Sequence, residues 1–116
     1  MLIGGYMHDM YRDKFDVSVT EINNTATIHL NGKFSFDAHL DFKTAYKKLL
    51  NNLKIGTIVV NLSAVNYMDS SALGMLLVLL EHVQAANKTL ILSEPNSLVM
   101  RTFEIASFHK IFTINS

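Results

Sequence analysis

The run Thr57-Ile58-Val59-Val60-Asn61-Leu62 limits what this chain can become more than any other stretch. Its β-branched side chains are stiff at χ1, which disfavours a helix and suits a pleated surface. Near-continuous apolar character predicts a central strand covered on both faces. A helix is expected to follow it, from about Ser71 to Ala86. A buried strand feeding a helix points to an α/β fold.

The rest of the chain supports that reading. Phe15, Val17 and Val19 alternate with Asp16, Ser18 and Thr20, the period of a half-buried strand. Asn23-Asn24 suits a tight hairpin turn. Ala26, Ile28 and Leu30 then mark a second strand, with His29 on its polar face. Gly32 to Ser35 reads as a loop, and Asp37 as a helix N-cap. Ala38, Phe42, Ala45, Tyr46, Leu49, Leu50 and Leu53 recur at helical spacing and predict one buried stripe. Thr89 to Leu92 reads as a short strand. Asn96 or Ser97 caps a third helix reaching about Ala106, and Ile111 to Ile114 forms a last edge strand. The expected architecture is a mixed sheet of four to five strands with helices packed on it.

Length and composition set outer limits. The 116 residues fit one domain, and 49% hydrophobic residues suffice for a core. Residues 13–116 are read as that domain. Residues 1–12 are read as an N-terminal extension, with Met7 and Met10 as alternative starts. No cysteine is present, so thiol chemistry and disulfides are excluded. Ten basic residues balance ten acidic ones, which gives no general pull toward nucleic acid. Lys43, Lys47 and Lys48 read as a solvated helix face. The longest apolar run, Ala72 to Leu80, is too short to span a bilayer, and no signal peptide is evident. A cytoplasmic protein is expected.

The informative segment is Val65-Asn66-Tyr67-Met68-Asp69-Ser70-Ser71-Ala72-Leu73-Gly74, where the central strand hands over to the second helix. Functional groups gather at the carboxyl ends of such strands. Asp69, Ser70 and Ser71 can each cap the helix. At about 100° per residue, Leu73, Leu76, Leu77 and Leu80 share one face, which fits the sheet. Ser71, Met75, Val78, Leu79 and His82 share the other, where water calls for polar groups. That second stripe is expected to be covered by the third helix, to dock a partner, or both. Met68, Ala72, Met75, Val78, Leu79 and His82 are the candidate partner-binding residues.

This segment resembles the motif of the STAS domain of bacterial anti-sigma-factor antagonists. The likeness runs from about Phe15 to Ile114. It includes Gly32, the strand Ile58 to Ser63, Met-Asp-Ser-Ser-x-Leu-Gly at Met68 to Gly74, the Val99 to Phe103 helix, Phe108 and Ile111-Phe112. The resemblance implies that Ser71 accepts a phosphate, with Asp69 and Ser70 as neighbours. It implies that the unphosphorylated form binds an anti-sigma factor with serine kinase activity, which frees the sigma factor. A PPM-type serine phosphatase then restores the binder. Ala72 stands where the family often has Gly, which favours helix. The C-terminal helix of many relatives is expected to be short or absent.

Other classes are weaker. No Gly-x-Ser-x-Gly elbow is present, and His82 lies about 16 Å from Ser71 at 1.5 Å rise per residue. Catalysis is therefore not expected. No His/Asp/Glu set has metal-ligand spacing, and no phosphate-binding Gly-x-x-x-x-Gly-Lys loop occurs. No cofactor is expected, and ATP belongs to the kinase. The alternative is a STAS subunit of a lipid-transport ABC system or of a stress-signalling assembly. The intact Ser70-Ser71 pair favours the switch. A homodimer is left open.

Overall fold

A computed structural model describes residues 14–116. The extension read for residues 1–12 lies outside them. The elements run β1 (Phe15–Ile22), β2 (Thr25–Phe34), a 3-10 turn (Phe36–Ala38), α1 (His39–Leu50), β3 (Thr57–Met68), α2 (Ser70–Ala85), β4 (Thr89–Ser93), α3 (Ser97–Ile105), a second 3-10 turn (Phe108–Lys110) and β5 (Thr113–Asn115). The strands form one mixed sheet in the order β1-β2-β3-β4-β5. β1 and β2 make the antiparallel hairpin, turned through Asn23 at φ 57°. The other neighbours are parallel.

β3 is central, as its composition predicts, but it is covered on one face. Register aligns Ala26, Ile58 and Leu90, then Ile28, Val60 and Leu92, and all six are buried. Thr57, Val59 and Asn61 alternate with the buried set and stay half-buried, as do Thr25, Thr27, His29 and Ile91. The strand is unbroken in apolar character because β-branched Val59 suits a pleat whether or not a helix covers it. Each fully buried Leu, Ile or Phe contributes about 1.5–3 kcal/mol, so the single covered face carries the fold.

Three further expectations are corrected. Gly32 to Phe34 belong to β2 and continue its pairing with β3 through two register shifts. Gly32, at φ +97°, permits this irregular run. Asp37 lies inside the 3-10 turn, and α1 starts after Ala38 without a side-chain cap. Leu53 is 97% exposed, because α1 ends at Leu50 and the helical period stops with it. The α3 cap is as expected. The Asn96 side chain accepts the backbone N–H of Val99 at 3.0 Å.

Candidate functional site

β3 ends at Met68 and α2 begins at Ser70, with Asp69 between them as the N-cap. Asp69 is extended, with φ −111° and ψ −178°, and its Oδ1 accepts the backbone N–H of Ala72 at 3.0 Å. Ser70 and Ser71 therefore occupy the first two helical positions. Backbone N–H groups there have no intrahelical acceptor. Ser70 is exposed and Ser71 half-buried. Among the described residues, no group hydrogen-bonds the Ser71 hydroxyl. It is reachable from solvent, and the helix start favours negative charge beside it.

The phase of α2 differs from the sequence-based expectation. The buried stripe is Ala72, Met75, Leu76, Leu79 and Val83, whereas Leu77 and Val78 are exposed. Ala72 and Leu79 are 0% exposed, so neither belongs to an open docking surface. The helix is apolar nearly all round, so two stripes compete and pattern alone cannot choose between them. Packing chooses. α1 lies beside α2, where cover by the third helix, a docked partner, or both is the sequence-based expectation. Phe42 and Tyr46 of α1 meet edge to face at 5.3 Å, and Tyr46 approaches the His82 ring at 6.1 Å. A helix wedged between the sheet and a neighbouring helix buries two adjoining stripes.

Met75 is buried, yet it borders the groove between the two helices. The groove is lined by Phe36, His39, Phe42, Lys43, Tyr46, Ser71, Gly74, Met75 and Val78. Met68 is half-buried against the core, and Val78 and His82 are exposed. Of the candidate residues, the structure therefore gathers Ser71, Met75 and Val78 at one groove. His82 lies farther along the same helix.

Part of the groove wall was not legible as a site: Lys43 of α1 sits in a stretch read as a solvated face, and Phe36, in the 3-10 turn before α1, follows the loop read over Gly32 to Ser35. Phe36 is 68% exposed and stacks on His39 at 6.2 Å. An exposed aromatic just after a strand is the signal that could have marked it. Burial pushes the Tyr46 phenol above its ordinary pKa. The segments Lys33 to Asp37 and Ser93 to Asn96, at the carboxyl ends of β2 and β4, behave differently. The segment Lys33 to Asp37 brings Phe36 to the groove, and Lys33 lies over the Tyr67 ring at 5.2 Å. Ser93 to Asn96 instead borders a separate depression with Ser63 and Asn115.

The STAS domain family matches residues 16–116. This chain belongs to the STAS family. A STAS-domain containing protein of Pseudomonas aeruginosa strain UCBPP-PA14 is 37% identical over 89 residues, which is 77% of this chain and 86% of that protein. The Thermotoga maritima protein tm1081 superposes with a TM-score of 0.78 at 21% identity, over 86% of each chain. The anti-sigma factor antagonist SpoIIAA, in its unphosphorylated form, gives 0.71 at 20% identity over 89% of each chain. Its phosphorylated form, from Bacillus, gives 0.66 at 19% identity, over 89% of this chain and 92% of that one. These structural likenesses establish that the five-stranded mixed sheet is the STAS fold. Among the described residues, no helix is long and apolar enough to cross a membrane.

Proposed function

We propose that this STAS protein is an anti-sigma-factor antagonist whose binding is controlled by phosphorylation at Ser71. One observation carries the reading: an accessible, unpartnered serine hydroxyl stands at the start of α2, on the rim of a predominantly apolar groove. SpoIIAA, of the same fold, is an antagonist that exists in unphosphorylated and phosphorylated forms, which supports carrying the role over.

The switch follows from charge and hydration. In the unmodified form, Ser71, Val78 and Phe36 are desolvated against a cytoplasmic anti-sigma factor that is also the serine kinase. A phosphoryl group adds about −1.5 to −2 charges and three strong acceptors at that rim. The N-terminus of α2 stabilises part of this charge, by about 0.3–1 kcal/mol. Burying the remainder against a partner costs more, since like-charge or unpaired contacts cost several kcal/mol. The complex dissociates, and a PPM-type phosphatase regenerates the binder. Asp69 and Ser70 flank the acceptor, and Asp69 fixes the local backbone. The protein itself performs no catalysis.

The test is calorimetric binding to a co-purified kinase-type anti-sigma factor. Ser71→Ala should bind like the parent and resist phosphorylation. Ser71→Glu should bind at least about tenfold more weakly, a loss of about 1.4 kcal/mol. Equal affinity of Ser71→Glu and the parent would sink the mechanism.

A further inference from the structure

The groove beside Ser71 has a free volume of about 290 Å³. Three features suit it to a small molecule. Its walls are apolar, with Phe36, Phe42 and the Tyr46 ring on one side and Met75 and Val78 on the other. Among the described residues that line it, Lys43 is the only formally charged one, and none is a carboxylate. Tyr46 is only 5% exposed, yet no described residue hydrogen-bonds its hydroxyl, which is not sealed from solvent.

Gly74 adds an independent observation. It sits inside α2, where glycine costs about 1 kcal/mol relative to alanine. Neither a positive φ nor a close approach requires it, because a Cβ there meets nothing within 4 Å. Gly74 lines the groove, and the space beside its Cα is open.

We propose that this groove binds a small amphipathic monocarboxylate, with its apolar tail between Phe42, Met75 and Val78 and its carboxylate held by Lys43 and the Tyr46 hydroxyl. Lys43 and Tyr46 are three residues apart on one helix and both line the groove, so one anion bound there is within reach of both. Burial keeps Tyr46 protonated and able to donate. Pockets of this kind are mostly apolar, with a few converging polar groups that fix orientation. A bound ligand sits against Ser71 and hinders both kinase and partner, a consequence that rests on the antagonist reading. The binding itself does not.

The experiment titrates the full chain, isotopically labelled, with octanoate and separately with 1-octanol, following amide shifts. Octanoate should produce saturable shifts confined to the groove. Gly74→Leu adds bulk at a lining residue with open space beside it and should weaken octanoate by about tenfold or more, while thermal melting shows the fold intact. Lys43→Met should weaken octanoate by about tenfold and leave 1-octanol unchanged. The proposal is overturned by an absence of saturable groove shifts up to the solubility limit, by unchanged affinity in Gly74→Leu, or by equal losses for both probes in Lys43→Met. No kinase takes part, so a failed antagonist reading leaves this result standing.

Discussion

The Asp69 carboxylate accepts the backbone N–H of Ala72 at 3.0 Å, which ties the acidic neighbour of Ser71 to the first turn of α2. The residue is thus a structural cap whatever else it contacts. Asp69→Ala should destabilise the protein by about 1 kcal/mol, and Asp69→Asn or Asp69→Ser by much less, since either can still accept that bond. Urea unfolding at constant m-value checks the ranking. An Asp69→Ala variant as stable as the parent would remove the capping role. A binding defect in Asp69→Asn, with stability intact, would point to contact with the partner or the kinase.

Negative charge at position 71 should leave folding intact even where it abolishes binding. Ser71 is the second residue of α2, where an anion meets free N–H groups and the positive end of the helix dipole. Ser71→Asp should therefore match the parent in stability or exceed it by about 0.3–1 kcal/mol at low salt. Added salt should reduce any gain. Thermal melts at two ionic strengths measure this. A large drop in melting temperature would mean that lost binding in Ser71→Glu reflects unfolding.

Two glycines make opposite demands. Gly32 has φ +97°, and a Cβ there would collide with the carbonyl oxygen of Lys14, just before the paired strand β1. Gly32→Ala combines backbone strain of about 1–3 kcal/mol with a clash that β1 must move to relieve. A loss of about 3 kcal/mol or more, or failure to fold, is expected. Gly74→Ala meets open space on a helix and should stabilise by about 0.5–1 kcal/mol. The two variants, unfolded in denaturant side by side, should shift in opposite directions.

Much of this was legible in the sequence because local signals agreed with the global fold. The Phe15 to Leu30 hairpin, the central strand, the Asp69 cap and the Asn96 cap all rest on short-range chemistry and stand where expected. The misses are tertiary. Val59 reads as core but half faces water, because period and composition do not say how many layers cover a sheet. Ala72 and Leu79 read as partner-facing but are buried, because a nearly uniform apolar helix leaves its phase to its neighbours. The groove depends on which helix lies beside α2. That arrangement brings Tyr46 and Ser71, distant in sequence, to one cavity.

Asn96 joins two parts of the fold through one side chain. Its Oδ1 accepts the Val99 N–H at 3.0 Å, and its Nδ2 donates to the Val65 carbonyl at 2.6 Å. The first bond starts α3, and the second holds that start against the end of β3, three residues before Met68. Asn96→Ala loses both and leaves a part-buried carbonyl unpaired, so a cost of about 2 kcal/mol is expected. Asn96→Asp keeps the cap but sets a carboxylate against the Val65 carbonyl, and should cost as much or more. Asn96→Ser keeps the cap alone and should fall between the parent and alanine. Hydrogen exchange should then show faster opening at Val65 to Met68 in Asn96→Ala than in the parent. If exchange there is unchanged while α3 loosens, Asn96 acts only as a cap, and the end of β3 is held by its pairing with β2.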